Sequence, residues 1–252
     1  MNITGNTIFI TGGTSGIGRA LAEALHSRGN KVIVAGRRKA LLDEVSAANP
    51  GIDGVELDIA DAADIERVAA RLVKDYPTLN VLINNAGIMP FDDAGAKIDD
   101  EVSRRIIETN LLGPIRLTSA LIDHLKSQPA ATIIHNTSVL AYVPLASTAV
   151  YSASKAALHS YALSQRFQLR DTSVRVQEIA PPWVDTDLIK KSGDPRAMPL
   201  DIFIEKTMAK LATDAPEIIV DEIQALRDNP GSGEHAFVHG FNQSLVETPI
   251  PV

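Results

Sequence analysis

T11-G12-G13-T14-S15-G16-I17-G18 stands between an apolar run, Thr7–Thr11, and a helical pattern, Ile17–Arg28. Glycines so spaced let a backbone turn tightly and approach a pyrophosphate, which then rests on a helix N-terminus. A glycine cluster alone is a weak signal; a strand before it and a helix after it make it specific, with a purely structural turn as the alternative. Outward from this stretch, short β-rich runs recur at Lys31–Ala35, Gly54–Leu57, Val81–Asn84, Thr132–Thr137 and Val174–Ile179, with a weaker one at Ala236–Val238. Helical patterns lie between them, among them Ala40–Ala48, Ala62–Tyr76 and Tyr151–Arg170. The runs are apolar with little alternation, as parallel strands covered on both faces are. The alternation predicts an α/β fold, a doubly wound parallel sheet, in a single domain over residues 1–252. Gly29 is the expected residue just past the first helix, and Asp61 and Asp99 are the expected N-caps. Residues 185–213 break the rhythm with Gly193, Pro195 and Pro199 before a short helical pattern, which predicts a mobile substrate lid after the sixth strand.

The chain has 252 residues, 45% of them hydrophobic and 22% charged, enough for one sizeable core. Its net charge of −7 argues against non-specific nucleic-acid binding and against an anionic membrane surface. The lack of cysteine excludes disulfides, thiolate catalysis and sulfur-ligated metals, and fits a reducing, cytoplasmic setting. No secretory signal pattern and no bilayer-spanning apolar stretch is visible. The six histidines form no H-E-x-x-H or H-x-x-E-H pattern. His235 and His239 are four apart, but in a segment that reads as a strand, so no metal site is expected.

At the end of the second run the chain reads V34-A35-G36-R37-R38. A site for NAD usually places an acid where Gly36 stands, to accept from the ribose 2′-hydroxyl. Guanidinium groups at Arg37 and Arg38 can instead grip a 2′-phosphate, with Thr14 and Ser15 adding hydroxyls, so NADP(H) is the expected cofactor. The alternative is that both arginines are surface charges beginning a helix. Asp58 either accepts from an adenine amino group or is a helix N-terminal charge. N84-N85-A86-G87 either lines a cofactor or satisfies turn backbone.

Ser138 stands thirteen residues before Tyr151, and Lys155 four residues after it. Tyr151 and Lys155 share one face of a helix. An ammonium beside a phenol favours the phenolate and lowers the phenol from its ordinary pKa of roughly 10, which suits a general acid at a carbonyl. Asn110 lies four residues before Pro114, which has no N–H to give its carbonyl, so a kink is expected there. A carbonyl so freed can bind a relay water; a tolerated kink is the alternative.

Together, T-G-x-x-x-G-x-G at Thr11–Gly18, Asp58, N-N-A-G at Asn84–Gly87, Asn110, Ser138 and Y-x-x-x-K at Tyr151–Lys155 resemble the short-chain dehydrogenase/reductase family, over roughly Thr7 to Thr186. The resemblance implies a Rossmann fold and B-face hydride transfer between a nicotinamide cofactor and a carbonyl. It makes Tyr151 the general acid, Ser138 the hydrogen-bond partner of the substrate oxygen, Lys155 the ribose ligand that lowers the tyrosine pKa, and Asn110 a member of the proton relay. The cofactor cleft expected on this basis comprises Gly12, Thr14, Ser15, Gly16, Ile17, Gly18, Arg37, Arg38, Asp58, Ile59, Asn85, Ala86, Gly87, Tyr151, Lys155, Pro181, Val184 and Thr186. The expected substrate pocket is Met89, Val139, Leu140, Tyr142, Val143, Trp183, Leu188 and Met198, mostly apolar, which points to a hydrophobic ketone or aldehyde. Two features depart from the family. Pro182 replaces a glycine in P181-P182-W183, and the C-terminal segment A236-F237-V238-H239-G240-F241-N242 lacks the usual ending. The latter favours a homodimer over a tetramer, and both resemble a subgroup typified by a teichoic-acid D-alanylation oxidoreductase. Oxidation of an alcohol and non-catalytic dinucleotide sensing are the competing functions.

Overall fold

Every residue of β1 (Thr7–Thr11) is buried, and its side chains alternate between two cores. Ile8 and Ile10 join one apolar cluster, and Phe9 joins the other. The computed structural model describes residues 1–189, 193–228 and 231–248. β1 is followed by α1 (Gly16–His26), β2 (Lys31–Gly36), α2 (Lys39–Ala48), β3 (Ile52–Glu56), α3 (Ala62–Asp75) and β4 (Leu79–Asn84). Then come α4 (Asp100–Ile107), α5 (Gly113–Ser127), β5 (Ala131–Asn136), α6 (Ala149–Gln168) and β6 (Val174–Ile179). The chain closes with α7 (Leu200–Leu211), β7 (Glu217–Ile218), α8 (Gln224–Arg227) and α9 (Glu234–Glu247).

The seven strands form one parallel sheet in the order β3-β2-β1-β4-β5-β6-β7. The order reverses between β1 and β4, and the crevice at the strands' carboxyl ends there is where a doubly wound sheet binds its ligand. One face packs Leu21 and Leu25 of α1 and Phe203 and Met208 of α7. The other packs Ile65 and Leu72 of α3 and Leu117, Leu121 and Leu125 of α5. Asp61 caps α3 by accepting from the Ala63 and Asp64 N–H groups, and Asp99 caps α4 from Glu101 and Val102. Gly29 turns left-handed just beyond α1, with φ +81°.

Two expectations are corrected. Ala236–Val238 is not a strand; it lies in α9, where Phe237, Val238, Phe241 and Leu245 follow helical spacing. Three apolar residues are too few to tell period 2 from period 3.6, and the edge of the sheet is β7 instead. His235 and His239 therefore sit one helical turn apart. The expected lid over 185–213 is too long. Residues 200–211 are α7, whose Phe203, Thr207, Met208 and Leu211 are buried against α1 and the sheet. Before α7, residues 186–189 and 195–199 line the cleft, and 190–192 lie outside the described residues.

Candidate active site

The glycine stretch forms the floor of the crevice. Gly12 and Gly16 have φ of +66° and +51°, where a side chain is strained. A Cβ on Gly13 would stand 2.6 Å from the Val34 side chain, and one on Gly18 would stand 2.3 Å from both Asn85 Nδ2 and the Gly12 carbonyl oxygen. Asn85 ties this turn to β4: its Nδ2 donates to the Thr11 and Gly12 carbonyls at 2.9 and 3.2 Å. Thr11 Oγ1 accepts from the Asn85 and Ala86 N–H groups, both at 3.0 Å. The side chain of Asn85 thus satisfies turn backbone, while Asn85, Ala86 and Gly87 line the cleft.

The far end of the floor is cationic. Arg37 and Arg38 are exposed at the cleft mouth, Arg38 opens α2 as its N-cap, and neither side chain has a hydrogen-bond or ion-pair partner among the described residues. A Cβ on Gly36 would meet Thr14 Cγ2 at 3.0 Å, so Thr14 fills the place an acidic side chain would need. Asp58 Oδ1 accepts from the Ala60 N–H at 3.0 Å, and the Asp58 N–H donates to Asp64 Oδ2 at 2.8 Å. Asp58 and Ile59 both line the cleft.

Ser138 lies two residues beyond β5 and opens a short 3₁₀ turn, Val139–Ala141, where its Oγ accepts from the Leu140 N–H at 3.1 Å. Tyr151 and Lys155 are buried on α6. That helix is capped from a distance: Asp92 accepts from the Ala149 and Val150 N–H groups at 2.8 and 2.9 Å. Burial pushes the Tyr151 phenol up to about 12, opposed by a hydrogen bond with Ser138. Burial also pushes Lys155 down to about 8. Lys155 is expected to lower the tyrosine pKa; burial of the phenol acts in the opposite direction. The Lys155 ammonium lies 5.6 Å from the Tyr151 ring centroid and donates instead to the Asn136 carbonyl at 2.7 Å.

Asn136, absent from the sequence reading, connects the two halves of the site. Its Nδ2 donates to Asn85 Oδ1 at 2.7 Å, so one chain of contacts runs from Lys155 through Asn136 and Asn85 to the glycine floor. No local motif marks Asn136; its role depends on β4 and β5 lying side by side.

The kink expected before Pro114 takes the form of a π-helical turn, Glu108–Leu112, between α4 and α5. Asn110, fully buried within it, clasps the main chain of Ile88: its Oδ1 accepts from the N–H and its Nδ2 donates to the carbonyl, both at 2.9 Å. Nδ2 also donates to Ser154 Oγ at 3.2 Å.

Pro182 is accommodated by pairing on both sides. The Val139 N–H donates to the Pro181 carbonyl at 3.0 Å, and Met198 pairs with Trp183 and Asp185 at 2.8 and 3.0 Å. Thr186 is buried over the glycine turn, 3.5 Å from where a Gly16 Cβ would stand. Pro181 and Val184 line the same wall.

The crevice is one continuous cavity of about 920 Å³. It contains every expected cofactor-contact residue, from Gly12 to Thr186. Of the expected substrate pocket, Met89, Val139, Leu140, Trp183, Leu188 and Met198 line it. Tyr142 and Val143 do not, because the 3₁₀ turn rotates them inward. Val143 is core, and the Tyr142 ring packs edge-on to His159 at 5.1 Å and under Arg227 at 4.7 Å. Phe241 and Leu245 of α9 line the cavity and were not anticipated. A further grouping, His159, Glu178 and Glu217, brings three possible ligand atoms within 4.8 Å of one another. Arg166 pairs with Glu178 and Arg227 with Glu217, so their charge is already balanced by protein.

The sequence pattern described as short chain dehydrogenase matches residues 6–197. An uncharacterized oxidoreductase of Bacillus subtilis (strain 168), DltE, is 42% identical, covering 90% of this chain and 93% of that one. A short chain dehydrogenase from Burkholderia cenocepacia J2315, solved in complex with NADP, superposes with a TM-score of 0.82 at 30% identity, over 98% of this chain and 99% of that one. A Burkholderia phymatum short chain dehydrogenase/reductase in complex with NAD has a TM-score of 0.71 at 22% identity, over 98% and 81%, and at that distance shares the fold alone.

Proposed function

This chain belongs to the short-chain dehydrogenase family of oxidoreductases, and from that premise we propose that it reduces a hydrophobic ketone or aldehyde to the alcohol, using NADPH. The observation that carries the reading is the convergence of Ser138, Tyr151 and Lys155, all buried, on the wall above the glycine floor. The floor fits a pyrophosphate: a Cβ at Gly13 or Gly18 would fill the cradle, and the open guanidinium groups of Arg37 and Arg38 fit a 2′-phosphate. Bound NADPH supplies the hydride. Asp58 and Ile59 would flank the adenine, Tyr151 and Lys155 the nicotinamide ribose, and Pro181, Val184 and Thr186 the carboxamide.

Tyr151 donates its phenolic proton to the carbonyl oxygen as that oxygen gains charge, and the Ser138 hydroxyl donates a hydrogen bond to the same atom. A phenol held at about 12 stays protonated at neutral pH, which suits an acid. Lys155, still largely protonated at neutral pH, faces the phenolate left behind. Asn110 ties the loop after β4, at Ile88, to Ser154 of α6.

The test is oxidation of NADPH and of NADH, side by side, against aryl ketones, aliphatic aldehydes and diketones. Turnover with NADPH well above NADH is the expected result. NADPH binding with no turnover across the panel would favour the sensor reading. A homodimer is the proposed assembly: Leu163 and Phe167, one turn apart on α6, are 45% and 64% exposed. Phe167→Glu should then shift the sedimentation coefficient to that of a monomer; an unchanged value removes α6 from the interface.

A further inference from the structure

α9 buries no residue completely, yet one stripe of it is half-buried: Phe237, Val238, Phe241, Asn242 and Leu245. These positions recur at three- and four-residue intervals, so they form a single face turned toward the body of the protein. A helix that lays an apolar face on a core normally buries it; this one stands off. The space beneath it belongs to the catalytic cavity, which extends without a break from Ser138 and Tyr151 to Phe241 and Leu245. Ile202, Ile223 and Leu226 line the same cavity, with Glu222 beside them.

Among the described residues, polar contacts tie the helix at two places. Asn242 is bonded twice to the loop between Ser138 and Tyr151: its Oδ1 accepts from the Ala146 N–H, and its Nδ2 donates to the Pro144 carbonyl at 3.0 Å. At the far end the Thr248 carbonyl accepts from Arg196, whose guanidinium lies 5.2 Å from the Trp183 ring centroid. The helix thus bridges the two loops that frame the reacting centre, and it is attached by polar contacts rather than by core packing.

Resting on the carbonyl-reductase reading, we propose that α9 is a cover that sets specificity, clipped by Asn242, and that the space under Phe241 and Leu245 takes the extended alkyl chain of the carbonyl substrate. The carbonyl sits at Ser138 and Tyr151, and the chain runs outward under the helix. Short carbonyl compounds reach the catalytic pair without touching α9; long ones gain apolar contact with each added methylene.

Trp183, the single tryptophan of the chain, lines this cavity and reports occupancy directly. The experiment is titration of the full-length protein with n-alkan-2-ones of four to twelve carbons in the presence of NADP⁺, followed by tryptophan fluorescence. With oxidised cofactor no reduction occurs, so binding is read independently of turnover. In the wild type, affinity should rise about fourfold per added methylene once the chain reaches α9, the equivalent of about 0.8 kcal/mol. In Phe241→Ala/Leu245→Ala the gain should fall to about twofold or less per methylene. Asn242→Ala, which removes the clip but no lining group, should flatten the series in the same way. Unchanged melting temperature and NADP⁺ affinity would show that the variants keep their fold. A series with no dependence on chain length, no fluorescence response, or the same slope in the double variant as in the wild type would overturn the proposal. Chain-length-dependent binding without NADPH oxidation in the separate assay would leave the cover standing and remove the reductase reading.

Discussion

The two ends of the cavity are built in opposite ways. At the glycine floor all of β1 is buried, the turn is cross-tied by Asn85 and Thr11, and at Gly13 and Gly18 there is no room for one more carbon. At the far end α9 buries nothing fully and, among the described residues, is tied by Asn242 and by a Thr248 contact to Arg196. Segments with few buried contacts open locally at little free-energy cost, whereas core strands open only with the whole fold. On the proposed reading, the reaction is mounted on the densely packed end, and choice of substrate is left to the loosely packed one.

The contrast can be broken or sharpened by substitution. The largest effect is expected at Tyr151→Phe, which removes the acid: kcat should fall about 10²–10⁴-fold with NADPH affinity nearly unchanged. A variant keeping half its rate would assign the proton to another group. Next is Gly18→Ala, whose added carbon has nowhere to go; overpacking should cost about 1–3 kcal/mol, seen as a lowered denaturation midpoint together with weaker cofactor binding. An alanine at Gly240 of α9, where a Cβ meets nothing within 4 Å, should instead stabilise by about 0.5–1 kcal/mol through helix propensity, the opposite sign to Gly18→Ala. Arg37→Gln should weaken NADPH about 10–100-fold and NADH little, the range for a lost charge-assisted bond. Equal losses would mean that Arg37 does not meet the 2′-phosphate.

The buried lysine gives a pH signature. Its folded pKa of about 8 lies below the ordinary lysine value of 10.5, so the unfolded chain binds the extra proton between these limits. Stability of the wild type relative to Lys155→Met should therefore rise as pH increases from about 8 toward 10.5, with the penalty fully present below 8. A flat difference across denaturation curves at those pH values would mean that Lys155 is solvated. The smallest effect is expected at Tyr142→Phe. Because Tyr142 faces His159 and Arg227 rather than the cavity, kcat/KM should stay within about twofold, and stability should change by no more than about 1 kcal/mol.

Much of the rigid end was legible in the sequence because its signals are local. Thr11–Gly18, Asp61, Asp99 and Tyr151–Lys155 each carry their meaning within one turn or one helix, and each stands in the element expected. Pro114 announced the distortion that became the π-helical turn around Asn110. The failures share a cause. Tyr142 and Val143 were assigned to the pocket by proximity to Ser138, but a 3₁₀ turn rotates successive side chains by about a third of a circle, and these two point inward. Burial of the Tyr151 phenol, which raises its pKa, likewise depends on the whole fold and not on the Y-x-x-x-K spacing.

The sequence by itself determined the first six strands and the helices between them, the glycine floor, the cationic mouth and the Tyr151–Lys155 pair on α6, because hydrophobic period, glycine placement and helical spacing are properties of contiguous residues. Only the tertiary structure decided that Asn136 links Lys155 to the floor, that Asp92 caps the catalytic helix from 57 residues away, and that α9 roofs the cavity. Those contacts join residues distant along the chain, and they exist only once the parallel sheet has brought the ends of its strands together.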